Sequence, residues 1–154
     1  MLDGLFVTPA VAAIDQALAS IDALDPQATI AVVGSAKLAQ ALRAKRAVVA
    51  VGLSPRAARA WRAKPGAGEA IADTSSIDAG SLAAVVGVDL ASDAGWLATL
   101  RAWARAVRDG GALVLVDRGR AHAASKRALC GGLTELEQRR AGRAIVTSGV
   151  VTHL

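Results

Sequence analysis

The chain has 154 residues, of which 53% are hydrophobic and 20% charged, and these values predict one globular domain rather than a disordered chain. No apolar run approaches the roughly 20 residues that span a bilayer, and the N-terminus, with Asp3 and no basic segment, does not resemble a signal peptide. The single Cys130 excludes an intrachain disulfide and a cysteine zinc site, so we expect a cytoplasmic protein. The net charge of +5 leaves a polyanionic partner open.

The first part of the chain alternates between apolar runs and amphipathic segments. The runs lack the polar alternation of a half-exposed strand, which is typical of parallel strands buried on both faces. Apolar residues at three- and four-residue spacing indicate the helices. The predicted elements are a helix over residues 9–24, a strand over 29–34, a helix over 36–45 capped by Ser35, a strand over 47–53, and a helix from Ser54–Pro55 to Lys64.

The second part continues the alternation. Asp93 is placed to cap a helix, and Asp109–Gly110–Gly111 predicts a sharp break after it. The remaining predicted elements are a weak strand over 69–72, a strand over 82–88, a helix over 93–108, a strand over 112–116, a helix over 123–130, a segment over 134–143 that is either strand or helix, and a strand over 144–151.

Strands that alternate with helices of this length predict a doubly wound α/β fold, in which a mostly parallel sheet lies between two helical layers. We expect a single domain over residues 1–154, made of an N-terminal helical segment (1–27) and an α/β core (28–152). A ligand of such a sheet binds at the carboxyl ends of the strands. The candidate site therefore lies just after the first four strands.

Three stretches carry a family resemblance: residues 97–117 with their paired glycines, residues 48–57, and residues 128–137 followed by 145–150. Together they resemble the class I S-adenosylmethionine-dependent methyltransferases over residues 28–152. The resemblance implies a three-layer α/β/α fold whose C-terminal edge is antiparallel. It also implies S-adenosylmethionine as the cofactor of any active member.

The resemblance assigns four candidate cofactor-binding residues, provided that the cleft is functional. Gly34 matches the first glycine of the family's loop after the first strand, where a missing side chain lets the backbone approach the cofactor, and Ser35 follows it. Gly52 stands at the end of the second strand. Asp73 matches the acid that commonly holds the adenine amino group.

Other positions depart from the family's pattern. Val32 stands where the family has an acid, and Ala36 and Leu38 stand where it has further glycines. Gly52 replaces the carboxylate that accepts hydrogen bonds from both ribose hydroxyls. At the fourth strand the family's Asp falls near Ala84, and Asp89 lies five residues further on. These departures predict that Leu38 or its helix fills the place of the methionine moiety and that no carboxylate reaches the end of the second strand.

We therefore favour a catalytically silent, methyltransferase-like protein that binds no cofactor and no metal, has no catalytic residue, and acts through a protein partner or self-association. The first alternative is an active S-adenosylmethionine-dependent methyltransferase that uses Gly34, Asp73 and Asp89. The second is an NADP-binding domain, because Gly34-x-Ala36-x-x-Ala39 is a loose dinucleotide fingerprint and Arg56 could meet a 2′-phosphate.

A nucleic-acid module is a third, less favoured alternative. It would require three basic clusters to share one surface, and base-stacking aromatic residues are scarce. Trp96 and Trp103 are predicted to lie in the core, whereas Trp61 is predicted either there or at an interface as an anchor. The clusters are Arg56, Arg59, Arg62 and Lys64; Arg118, Arg120, Lys126 and Arg127; and Arg139, Arg140 and Arg143.

Overall fold

The computed structural model describes residues 4–19 and 28–153; for residues 4–6 it describes the backbone alone. Its strands form one seven-stranded sheet in the order β3-β2-β1-β4-β5-β7-β6. The helices are α1 (Gly4–Ala19), α2 (Ala36–Arg43), α3 (Pro55–Arg62), α4 (Trp96–Ala106) and α5 (Ala121–Cys130). The strands are β1 (Ile30–Val33), β2 (Val48–Val51), β3 (Ala70–Ile71), β4 (Leu82–Val88), β5 (Val107–Arg118), β6 (Thr134–Ala141) and β7 (Ala144–Val150).

The first five strands run parallel, and β7 pairs antiparallel with both β5 and β6. This arrangement confirms the predicted doubly wound sheet with an antiparallel C-terminal edge. The ambiguous segment 134–143 is a strand over Thr134–Ala141. Among the described residues, no helix is both long and apolar enough to cross a membrane.

The two faces of the sheet carry separate apolar cores. One face packs on α1, α2 and α3 through Ile14, Leu38 and Trp61. The other packs on α4 and α5, through Leu100, Trp103 and Ala128. Trp103 is confirmed as a core residue, at 5% exposure, and Trp96 packs against the same core while partly buried.

Serine caps begin α2 and α3 as predicted. The Ser35 hydroxyl accepts a hydrogen bond from the Leu38 N–H at 3.2 Å, and Ser54 accepts one from the Ala57 N–H at 3.2 Å. Each bond satisfies a backbone donor that the first helical turn leaves without an intrahelical partner. The two caps fix where the chain turns at the carboxyl ends of β1 and β2.

Several predicted boundaries were wrong. The first helix begins at Gly4 rather than Pro9, so Pro9 lies inside it, while its predicted end over residues 20–24 lies outside the described residues. Helix α4 is preceded by Gly95 as its N-cap. Asp93 instead accepts hydrogen bonds from the Gly95 N–H and the Thr99 hydroxyl.

The predicted break at Asp109–Gly110–Gly111 is a bulge inside β5, which begins directly after α4 at Val107. Pairing with β4 shifts register there, from Leu82↔Val107 to Ala84↔Ala112. Gly110 takes a φ of 80°, a left-handed conformation that glycine adopts at little cost. The paired glycines therefore bend the chain within β5 and do not separate α4 from the strand.

Candidate functional site

The candidate site lies where β1 and β2 end and α2 and α3 begin. A cleft of about 340 Å³, the β1–β2 cleft, opens between the two turns. Its lining consists of Gly34, Ser35, Ala36, Lys37, Gly52, Leu53, Ser54 and Ala57. The structure thus brings together three of the four predicted cofactor residues, namely Gly34, Ser35 and Gly52.

Asp73 stands at the next strand end. The Gly52 N–H donates to the Ile71 carbonyl at 3.0 Å, so the end of β2 lies beside the residues that lead to Asp73. The Asp73 carboxylate caps the turn at Thr74–Ser76, accepting from both the hydroxyl and the backbone N–H of Ser75. These two hydrogen bonds lower the pKa of Asp73 below its ordinary value. The carboxylate is ionised and exposed, and it supports a turn of its own loop.

Among the residues that the structure describes, Lys37 is the ionisable residue that lines the cleft. The described lining holds no carboxylate, and Gly52 stands at the end of β2. A cleft that holds S-adenosylmethionine faces a cationic sulfonium and a ribose diol, both of which a carboxylate stabilises. The described lining therefore offers no side-chain carboxylate to a sulfonium or a ribose diol.

The sequence predicted that Leu38 or its helix fills the place of the methionine moiety. Leu38 itself does not line the β1–β2 cleft, whereas Ala36 and Lys37 at the start of its helix do. Leu38 is fully buried and belongs to the core under α2. It lies with Ala39 and Leu42 on the buried face of that helix, three and four residues apart, which is the spacing of an inward-facing stripe. Val88 approaches the glycine loop instead: its Cγ2 lies 3.0 Å from the position that a Cβ on Gly34 would occupy.

Asp117 is a buried carboxylate that sequence reasoning missed. It ends the buried part of β5 at 2% exposure, and one of its oxygens accepts from the Ala91 N–H at 3.0 Å. Its other oxygen, Oδ2, is buried without a hydrogen-bond partner in the described structure. Burial raises the pKa of Asp117, and the neighbouring Asp89 carboxylate adds to the increase, against the hydrogen bond from Ala91 and the charges of Arg127 and Arg120.

Asp89 adopts a left-handed conformation with φ of 60° directly after β4. Its backbone N–H donates to the Val116 carbonyl at 2.9 Å, which ties the end of β4 to β5. Asp89 is absent from the lining of the β1–β2 cleft. The structure therefore separates Asp89 from Gly52 and groups it with Asp117.

Trp61 is a core residue at 1% exposure, which excludes it as an exposed interface anchor. Its indole N–H donates to the Gly68 carbonyl at 2.8 Å, and the guanidinium of Arg43 lies 5.0 Å from its ring centroid. The three basic clusters do not share one surface. One lies on α3 beside β3, while the β6 cluster occupies the opposite edge of the sheet.

Comparison with known proteins identifies solved structures that have a similar fold. No family model matches the sequence, and no curated protein matches it either. The complex of the Haloferax volcanii Trm112 methyltransferase activator with a candidate methyltransferase contains a similar chain, at 16% identity and a TM-score of 0.74, with 92% of this chain and 89% of that chain covered.

Two further solved structures are similar. The carbon methyltransferase of CurJ matches at 10% identity and a TM-score of 0.73, covering 96% of this chain and 54% of that one. A T. Thermophilus 16S rRNA methyltransferase, solved with AdoMet and guanosine, matches at 21% identity and a TM-score of 0.63, covering 88% and 39%. The chain has a class I methyltransferase-like Rossmann fold, as its resemblance implied.

Proposed function

We propose that this chain, which has the fold of the class I S-adenosylmethionine-dependent methyltransferases, transfers no methyl group and acts through protein contacts. The β1–β2 cleft carries this proposal, because its lining, as far as the described residues extend, offers no carboxylate and presents Lys37 as its ionisable side chain. Two hydrogen bonds to a charged acceptor are missing at Gly52, each worth about 1.5–3 kcal/mol. Their loss corresponds to about two to four decades of affinity.

The proposal includes a protein partner or a second copy of the chain, in the cytoplasm. A similar fold occurs in a complex with a methyltransferase activator, which supports a protein partner for a chain of this architecture. The single cysteine suits a reducing compartment. Light scattering tests whether the chain self-associates. A mass equal to one chain would exclude a second copy as the partner and leave a different protein.

An active methyltransferase is the second candidate, and one observation favours it. The cleft of about 340 Å³ is open, since Leu38 points away from it. Its volume is at the lower end of the about 300–1,000 Å³ of ligand pockets. Backbone groups at Gly34 and Gly52 would then hold the cofactor, with Asp73 beside them.

Thermal unfolding separates the two candidates. A ligand that binds only the folded chain raises the unfolding temperature by mass action. We expect no shift with S-adenosylhomocysteine at about 100-fold excess over a micromolar dissociation constant, where a bound ligand would add about 2.7 kcal/mol. A shift of several degrees would support the active enzyme.

A further inference from the structure

The helical layer on one face of the sheet is incomplete. Helices α2 and α3 cover one face of β1, β2 and β3. On the opposite face, α4 and α5 pack on β4, β5, β7 and β6, so no described helix packs on that face of β2 and β3. The connection from β3 to β4 contains only the short turn at Thr74–Ser76 where the other parallel strands are joined through helices. Parallel sheets are normally covered by helices on both faces.

A groove of about 400 Å³, the β2–β3 groove, lies over this part of the sheet. Val49, Ile71 and Ile77 supply its apolar surface, and all three are partly exposed side chains packed against the core under α4. On the same face Ala31 of β1 and Val51 of β2 are buried, so the open apolar strip of the sheet consists of Val49 and Ile71 on two neighbouring strands about 5 Å apart. One apolar stripe of a helix of roughly 10–12 Å diameter is wide enough to cover this strip.

The charges of the groove are acidic although the chain carries a net charge of +5. Glu69 and Asp78 are the ionisable residues in its lining, and both are exposed. Two guanidinium groups bind backbone oxygens beside the groove: Arg105 donates to the Thr74 and Ile77 carbonyls, and Arg62 donates to the Ala70 carbonyl. Neither forms a described salt bridge with Glu69 or Asp78. An isologous contact between two copies would bring two acidic rims together, which is unfavourable.

We propose that the β2–β3 groove binds an amphipathic helix of a partner protein, whose apolar stripe covers Val49, Ile71 and Ile77 and whose flanking Lys or Arg side chains meet Glu69 and Asp78. The helix completes the layer that the chain's own connection leaves open. This inference rests on the proposed function, because it names the surface through which protein contacts are made. It does not require that the β1–β2 cleft be empty.

The test uses a fluorescent synthetic peptide of about 14 residues, roughly 21 Å of helix, with a Leu stripe flanked by Lys, and a second peptide with Glu at every Lys. We expect the Lys peptide to bind the full chain and to perturb the amide NMR signals of Val49, Ile71 and Ile77. The double variant Glu69→Lys/Asp78→Lys should weaken the Lys peptide by about tenfold or more and favour the Glu peptide. Both substitutions are at exposed positions and should leave folding intact.

The matched control is Leu129→Lys, which removes the exposed Leu129 of α5 (65% exposed), away from the groove; it should leave the affinity unchanged. Equal affinity of the two peptides, NMR shifts elsewhere, or no binding would overturn the proposal. So would a dimer that the Glu69→Lys/Asp78→Lys variant dissociates, because a second copy would then be the occupant. Titration of the same protein with S-adenosylhomocysteine reports separately on the proposed function.

Discussion

Val88 of β4 packs against Gly34 of the loop after β1, with its Cγ2 3.0 Å from the position that a Cβ on Gly34 would take. Gly34 therefore makes a close contact with a side chain of β4 at the turn after β1. Gly34 also has a φ of 87°, a region that residues with a side chain enter at a cost.

Replacing Gly34 with Ala should destabilise the chain through both effects. We expect a loss of about 2–5 kcal/mol, combining roughly 1–2 kcal/mol for the left-handed conformation with about 1–3 kcal/mol of overpacking, measured by urea unfolding. The control is Gly66→Ala, because Gly66 has a φ of 72° and open space around its Cβ position. Adding Val88→Ala to Gly34→Ala should recover the overpacking part, and a strictly additive double mutant would contradict the contact.

Asp117 makes stability depend on pH. Its pKa is raised in the folded chain, so the folded state holds this proton more tightly than the unfolded state. Its contribution to stability is complete below the ordinary pKa of 3.8 and is lost as the pH rises through the raised value. We expect Asp117→Asn to match the wild type in acid and to become relatively more stable at neutral pH, measured by denaturant unfolding across pH.

Asp117→Ala supplies the counterpart, because it also removes the acceptor of the Ala91 N–H. That variant should be less stable than Asp117→Asn by about 1–3 kcal/mol at every pH, the cost of an unsatisfied buried donor. A stability difference between wild type and Asp117→Asn that does not change with pH would disprove the account of this carboxylate.

Substitution of Trp61 tests whether this side chain stabilises the core or forms an interface with another chain. Trp61→Phe keeps most of the buried ring but removes the donor to the Gly68 carbonyl. We expect the free energy of unfolding to fall by about 1–3 kcal/mol while the oligomeric mass in light scattering stays unchanged. A change in oligomeric mass without a decrease in the free energy of unfolding would show instead that Trp61 contributes to an interface.

Most of the fold could be predicted from the sequence, and the failures have physical causes. Uninterrupted apolar runs located β1, β2 and β4, and the capping residues Ser35 and Ser54, the latter followed by Pro55, located the starts of α2 and α3. The first helix was predicted to start at Pro9 because the apolar three- and four-residue spacing begins at Val11, yet α1 starts at Gly4 and accommodates Pro9 within the helix. Segment 134–143 stayed ambiguous because its side chains are mostly exposed, and pairing with β7 decides its structure.

The candidate site was harder to predict. The family resemblance assigned Gly34 and Gly52 to the site, where both line the cleft, but the same correspondence placed Leu38 there against its own helical periodicity. The periodicity was the better guide, since Leu38 and Leu42 share the buried face of α2. Asp117 was missed because nothing local distinguishes a carboxylate at a strand end; the Ala91 N–H that it binds lies 26 residues away.

The central claim is that the β1–β2 cleft does not hold the cofactor of its fold. Isothermal titration calorimetry of the full chain with S-adenosylhomocysteine tests it most directly, with S-adenosylmethionine and NADPH titrated in parallel. The account predicts no binding heat from any of the three at about 1 mM ligand, an affinity no better than about −4.1 kcal/mol. Saturable binding of S-adenosylhomocysteine near about 1 μM, or −8.2 kcal/mol, would contradict it and identify the chain as a cofactor-binding methyltransferase candidate.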